Sequence, residues 1–135
     1  MRFLSVFIFI TLISSGAHAE RWRIKEGVCL EWAGHWDVEV YDRAGVGNQK
    51  GIRGTFWQEQ VGGSCVAQTG SQISGKVSGL MNDTDGEFIV WKTSSDGNDC
   101  EYKADISGGF VAMTSTYRCK SGGPYKFILE RYYKD

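Results

Sequence analysis

The sequence predicts an all-β domain, an antiparallel up-and-down meander of eight or nine strands that closes into a small barrel. The 135-residue chain has 18 glycines and a single proline, and the glycines recur between runs rich in β-branched and aromatic residues. This composition is typical of short strands joined by tight turns. No segment keeps an apolar period of 3.6 residues over three helical turns, so a long helix is not expected.

Residues 1–19 have the pattern of a cleaved export signal. Arg2 precedes an apolar run over residues 3–13, and the tripeptide Ala-His-Ala follows at residues 17–19. This order of basic, apolar and small residues is that of a secretory signal peptide. The apolar run is too short to span a bilayer. We therefore expect a single domain over residues 20–135 that is periplasmic or secreted.

Alternating apolar and polar residues place the strands along this domain. Candidate strands lie at residues 21–32, 34–42, 51–61, 64–68, 72–80, 87–94, 100–106, 110–119 and 125–133. Most connections are short turns, which favour antiparallel neighbours, and the longest unpatterned stretch is residues 43–50. Closing the meander into a barrel removes its exposed edges. A two-sheet β-sandwich is the alternative, because strand pattern alone does not show closure.

Charge and composition exclude some partners. The chain has 15 Lys and Arg against 16 Asp and Glu, a formal net charge of −1. This balance provides no general attraction to nucleic acid. We therefore expect no nucleic-acid partner. The short apolar run predicts no membrane span, and we expect no cofactor.

The four cysteines all follow the predicted signal, and an even number in an exported chain predicts disulfides. Cys100 and Cys119 would lie at opposite ends of a hairpin, so we expect the pairings Cys100–Cys119 and Cys29–Cys65 among three possible sets. A metal site is disfavoured because no two cysteines have C-x-x-C spacing and His35 is the sole histidine after residue 19. His35 is also the only candidate imidazole for catalysis, so we expect no catalytic residue and no enzyme.

The many aromatic residues suggest a ligand lining, since a small barrel can hold one apolar ligand. In this hypothesis Trp36, Trp91 and Phe110 supply apolar rings, and Arg118 at the mouth pairs with an acidic end of the ligand. In the alternative, the strand at 110–119 has its other face toward the barrel interior. Residues 111, 113, 115 and 117 then point inward. The sequence does not choose between these two faces.

A non-enzymatic binding protein for a small apolar or amphipathic ligand is therefore the expected function. The alternative is a protein–protein module, such as an inhibitor of a secreted hydrolase or a host-directed factor that acts through surface loops. Residues 43–50 are then the leading contact loop, because they are the longest unpatterned stretch. An enzyme ranks third, and a buried His35 bonded to a carboxylate in a cleft would favour it.

Three short motifs resemble the calycin group of small secreted β-barrels, the lipocalins and avidins. Residues 34–36, Gly-His-Trp, are similar to the G-x-W that opens those barrels. Residues 88–92 resemble an avidin strand ending in Trp-Lys, and residues 54–56, Gly-Thr-Phe, lie near the avidin G-T-Y. The resemblance implies a closed barrel. It does not imply biotin binding, because Phe56 replaces the biotin-contacting tyrosine and residues 114–117 lack the family's late tryptophan.

Overall fold

The computed structural model describes residues 18–43, 49–82, 86–106 and 111–133. The strands are β1 (His18–Gly27), β2 (Trp32–Asp42), β3 (Gln49–Gln60), β4 (Gln72–Asn82), β5 (Gly86–Ser94), β6 (Cys100–Ile106), β7 (Ala112–Cys119) and β8 (Gly122–Tyr133). Each strand pairs antiparallel with its sequence neighbours, and β1 pairs with β8 to close the barrel. The predicted all-β barrel is confirmed, and closure excludes the sandwich. Within the described ranges, no helix is long and apolar enough to cross a membrane.

Two of the predicted strands are wrong. The candidate at residues 21–32 is interrupted, because β1 ends at Gly27, whose φ of 119° favours glycine. Sequence alternation missed this turn because Val28 and Leu30 continue the apolar pattern of β1 across it. The candidate at residues 64–68 belongs to the β3–β4 connection, where Gly62 has a φ of 87° and no strand forms.

Aromatic side chains fill the middle of the barrel. Trp22, Trp36, Phe88, Tyr102 and Phe127 are all fully buried. The Trp36 ring lies 6.3 Å from the Trp22 ring and meets the Tyr102 ring edge-on at 5.1 Å. Full burial of a large apolar side chain stabilises the fold by roughly 1.5–3 kcal/mol. This aromatic cluster is therefore the main core of the barrel.

Glycines on β4 allow close approach of β5. Gly75 and Gly79 share the inner face of β4 with Ile73 and Val77, as the alternation predicted. A Cβ at Gly75 would lie 1.9 Å from the carbonyl oxygen of Thr93. A larger residue would therefore force β4 and β5 apart, which explains glycine inside this strand.

The two ends of the barrel differ in their covalent links. The β1–β2, β3–β4, β5–β6 and β7–β8 connections share one end, which we call the disulfide end. Cys29–Cys65 joins the first two of these connections, and Cys100–Cys119 joins the start of β6 to the end of β7. Both predicted pairings are confirmed. We call the opposite end, where β1 begins, the Glu20 end after its fully buried carboxylate.

Candidate functional site

A cavity of about 230 Å³ opens at the disulfide end of the barrel. Glu26 from β1 and Lys92 from β5 form its floor, and Trp32, Tyr117 and Tyr125 are among its walls. The volume is just below the roughly 300–1,000 Å³ of pockets that enclose drug-sized ligands. The cavity therefore has room for a small molecule or for one end of a larger one.

The floor of the cavity is a buried ion pair. The Lys92 Nζ donates to Glu26 Oε2 and to Gln58 Oε1, each at 3.0 Å. The side chains of Lys92 and Glu26 are 1% and 4% exposed. The Tyr102 hydroxyl donates to Glu26 Oε1 at 2.6 Å, and the Phe56 ring centre lies 4.8 Å from the Lys92 Nζ. The ammonium and both carboxylate oxygens of the floor therefore have partners.

Two tyrosines beside the floor act as hydrogen-bond donors. Burial raises the pKa of Tyr102 and of Tyr117, and the charge of Glu26 and its hydrogen bonds to both phenols raise each pKa further. The negative charge of Glu31 also raises the pKa of Tyr117. The two rings stack at 4.7 Å. Both phenols therefore remain protonated at neutral pH.

Glu31 is a buried carboxylate in the cavity without a cationic partner. It is 6% exposed and accepts a 3.2 Å hydrogen bond at Oε1 from the amide of Cys29. Among the described residues, no Lys, Arg or His lies within ion-pair distance of it. Burying a charge is costly unless the charge is paired. Glu31 is therefore the least compensated group of the cavity.

Ser94 supplies a second incompletely satisfied group. Its buried hydroxyl makes no well-formed hydrogen bond with any described residue. Burial alone would raise the pKa of Asp96, but the Asn98 amide, the nearby Ser94 hydroxyl and the charge of Lys92 lower that pKa overall. Asp96 therefore brings a second negative charge to the cavity.

The predicted ligand residues are not brought together. Trp36 is inside the barrel, but it belongs to the aromatic core and does not line the cavity. Trp91 lies on the outer face, 43% exposed, and its indole N–H donates to Glu101 Oε2 at 3.0 Å. Phe110 lies outside the described residues. The interior placement of Trp91 was therefore wrong.

The predicted position of Arg118 was also wrong. Arg118 is exposed on the outer face of β7. The inner face of β7 holds Met113 and Tyr117, which pack in or against the core. The alternative orientation of this strand is the one the barrel adopts. An arginine at the cavity mouth that pairs with an acidic ligand is therefore absent from β7.

His35 lies on the outer face of β2. Its Nε2 is 3.6 Å from Asp37 Oδ2, and its ring lies 5.7 Å from the Trp57 ring. The Arg21 guanidinium donates to both oxygens of Asp37, at 2.7 and 3.0 Å. The carboxylate beside His35 is therefore already held by an arginine.

The inward positions of Glu26 and Lys92 could have been found from the sequence. Glu26 interrupts an apolar alternation that starts with Trp22 and Ile24 on β1. Lys92 follows Phe88 and Val90 at the next inward position of β5. A charged residue at an inward strand position indicates a buried polar site. The carboxylate that pairs with Lys92 is determined by how the barrel closes. The alternation of residues does not show this closure.

Comparison with known proteins identifies no relative: no family model, no curated protein and no solved structure matches the chain. The calycin motif at residues 34–36 does lie near the start of a barrel strand, with Trp36 pointing inward. The geometry of the cavity is therefore what indicates a functional site.

Proposed function

We propose that this chain is a non-enzymatic, exported binding protein that holds a small amphipathic ligand in the cavity at the disulfide end. The observation that supports this best is the buried Lys92–Glu26 pair at the base of an open cavity, in a barrel otherwise filled by aromatic rings. Apolar surface from Trp32 and Ile73 lies beside these polar groups in the cavity lining, and small-ligand sites combine the two. For structure alone, apolar residues of similar volume are often as stabilising as a buried ion pair.

An apolar rim supports the amphipathic character of the ligand. Val28 at the mouth is 71% exposed, and Val61 is 41% exposed. The amide of Val61 donates to the Glu31 carbonyl at 2.9 Å, which places it beside the cavity wall. A ligand with a polar group at the floor and an apolar group on this rim would remove both valines from water, which favours binding.

A protein partner is the second candidate, and the same exposed valines favour it. Val28 and Val61 lie in the two connections that the Cys29–Cys65 disulfide joins, and the disulfide limits the motion of both connections. The contact loop predicted at residues 43–50 falls mostly outside the described residues. The rim of the cavity is therefore the surface on which this alternative depends.

Native mass spectrometry of the full chain, isolated gently from its own source, tests the proposal. We expect wild type to retain a small molecule that is released on denaturation. Ser94→Leu places a larger side chain in the cavity and should lose that molecule. Thr93→Leu is the matched control, because Thr93 is the exposed neighbour on the same strand.

The outcomes separate the two candidates. Loss of the bound mass in S94L but not in T93L supports the cavity site. A bound protein that remains in S94L favours the rim surface instead. Wild type that stays free of any small molecule after incubation with a total metabolite extract of the source would contradict the proposal.

A further inference from the structure

We infer that the ligand of this cavity carries a cationic amine or quaternary ammonium group, which binds against Glu31 among the rings of Trp32, Tyr117 and Tyr125. This inference rests on the proposed function, because it specifies the chemistry of the ligand in the same cavity. The sign of the ligand charge is opposite to the one that the sequence predicts, in which Arg118 pairs with an acidic group of the ligand.

The charges that line the cavity favour a cation. Four lining side chains are formally charged: Glu26, Glu31, Lys92 and Asp96. The Lys92 ammonium is offset by Glu26 at 3.0 Å. Glu31 and Asp96 remain, so the open part of the cavity is negative, and the buried Glu31 contributes more than the exposed Asp96. Electrostatic interactions strengthen in a partly dry site, so an anion would be repelled there and a cation attracted.

Glu31 provides the specific contact. The Cys29 amide binds Oε1, and no described cation compensates the carboxylate. The side chain is more than nine-tenths buried and lines the cavity. A ligand ammonium at this carboxylate would supply the charge partner that the protein lacks.

The Ser94 hydroxyl is a second polar group of the cavity that lacks a well-formed hydrogen bond. It is 8% exposed and lines the same cavity, and its contact with Asp96 lacks the geometry of an ordinary hydrogen bond. Buried hydroxyls are normally paired, and an exception calls for an explanation. A polar group of the ligand that reaches the Ser94 side of the cavity would provide a better hydrogen-bond partner than Asp96 does.

Aromatic rings complete the site. The rings of Tyr117 and Tyr125 lie 5.5 Å apart with an interplanar angle of 53°. Ring faces attract cations, and aromatic cages recognise quaternary ammonium groups. The barrel already holds one cation in this way, because the Lys92 Nζ lies 4.8 Å from the Phe56 ring centre and 5.4 Å from that of Tyr102.

The test is calorimetric titration of the full disulfide-bonded chain with three probes of nearly equal shape: choline, 3,3-dimethyl-1-butanol and 3,3-dimethylbutanoate. They present a cation, a neutral group and an anion, respectively. We expect choline to bind about tenfold more tightly than the alcohol, the order expected for a partly desolvated cation–π contact beside a carboxylate. The butanoate should bind more weakly than the alcohol.

Matched variants locate the effect. Glu31→Gln keeps the acceptor for the Cys29 amide but removes the charge, and it should reduce the preference for choline over the alcohol to about twofold or less. Glu87→Gln removes one negative charge from an exposed position at the Glu20 end, so it should leave the preference unchanged. A preference that falls equally in both variants would overturn the inference, because it would reflect overall charge.

The probe series also separates this inference from the proposed function. Equal or tighter binding of the alcohol or the butanoate, abolished by S94L, would overturn the cationic ligand while the binding site stands. Binding of none of the three probes would overturn the cationic ligand, and the bound mass in native mass spectrometry would then decide the proposed function separately.

Discussion

Both ends of the barrel contain a buried ion pair, but the two pairs lie in different surroundings. Each has a buried carboxylate on the inner face of β1, Glu20 at one end and Glu26 at the other, and each carboxylate pairs with a cation from another strand. At the Glu20 end the partner is Arg131, and at the disulfide end it is Lys92. The surroundings of the two pairs then differ.

The Glu20 carboxylate is saturated with donors. Arg131 donates to both oxygens, at 2.5 and 2.9 Å, and the Trp22 indole N–H donates to Oε1 at 2.8 Å. His18 Nε2 lies 2.7 Å from Oε2. Burial alone would raise the pKa of Glu20, but the hydrogen bonds from Arg131 and Trp22 and the charges of Arg131 and His18 lower it overall.

The disulfide end keeps its ion pair at the base of a cavity and leaves Glu31 without a cation. The comparison indicates that a buried ion pair alone does not identify a site. What distinguishes the disulfide end is the open volume above the pair and the unsatisfied groups that line it. We therefore expect the Glu20 pair to matter mainly for stability and the Lys92 pair mainly for binding.

The largest effect is expected from breaking the Glu20 pair. Arg131→Met leaves Glu20 buried without its main partner, so the free energy of unfolding should fall by about 3–5 kcal/mol at pH 7. Urea denaturation measures this loss. In the double variant E20Q/R131M much of the loss should be recovered, because no buried charge is left unpaired.

The pH dependence of this loss follows from the lowered pKa of Glu20. The stabilisation is present above the ordinary value near 4.5 and is lost as the pH falls below it, because the unfolded chain then binds the proton more readily. The difference between wild type and R131M should therefore shrink in acid. A difference that grows below pH 4 would contradict this assignment.

Removing a disulfide should act mainly on one end. The C29S/C65S variant frees the β1–β2 turn from the β3–β4 connection, and the chain-entropy model predicts a loss of about 3–4 kcal/mol. Hydrogen exchange should then increase at the disulfide end more than around Glu20. Equal increases at both ends would contradict the separate roles of the two ends.

Breaking the floor pair should cost less than breaking the Glu20 pair. After Lys92→Met, Glu26 keeps the Tyr102 donor and can be hydrated through the cavity, so we expect a loss of about 1–3 kcal/mol. The same denaturation experiment, run beside R131M, checks the order. A loss in K92M that exceeds the loss in R131M would show that the cavity does not hydrate Glu26.

The smallest effect is expected on the outer face. Arg21 donates hydrogen bonds to both oxygens of Asp37, as Arg131 does to Glu20. The Arg21 side chain, however, is half exposed. Exposed pairs contribute little because solvent screens them. Arg21→Met should leave the free energy of unfolding unchanged within error. A clear loss would show that geometry outweighs burial here.

The sequence predicted the barrel better than the site, for physical reasons. Alternation reports which side of a strand is apolar, so the inward positions of Trp22, Trp36 and Phe88 could be read directly, but not that Trp36 packs in the core instead of lining a ligand site. It reports neither which strand faces which across the interior nor where a turn interrupts the pattern. The pairing of Glu26 with Lys92 and the burial of Glu31 depend on those two facts, so only the closed structure shows them.

Mapping choline binding by ¹⁵N–¹H NMR on the wild-type chain shows which end of the barrel holds the ligand. We expect shifts of the backbone amides in residues 26–32, 94–98 and 117–125 at the disulfide end, with residues 18–22 and 129–131 at the Glu20 end unmoved. Shifts of similar size at both ends, or none at the disulfide end at saturating choline, would contradict this expectation.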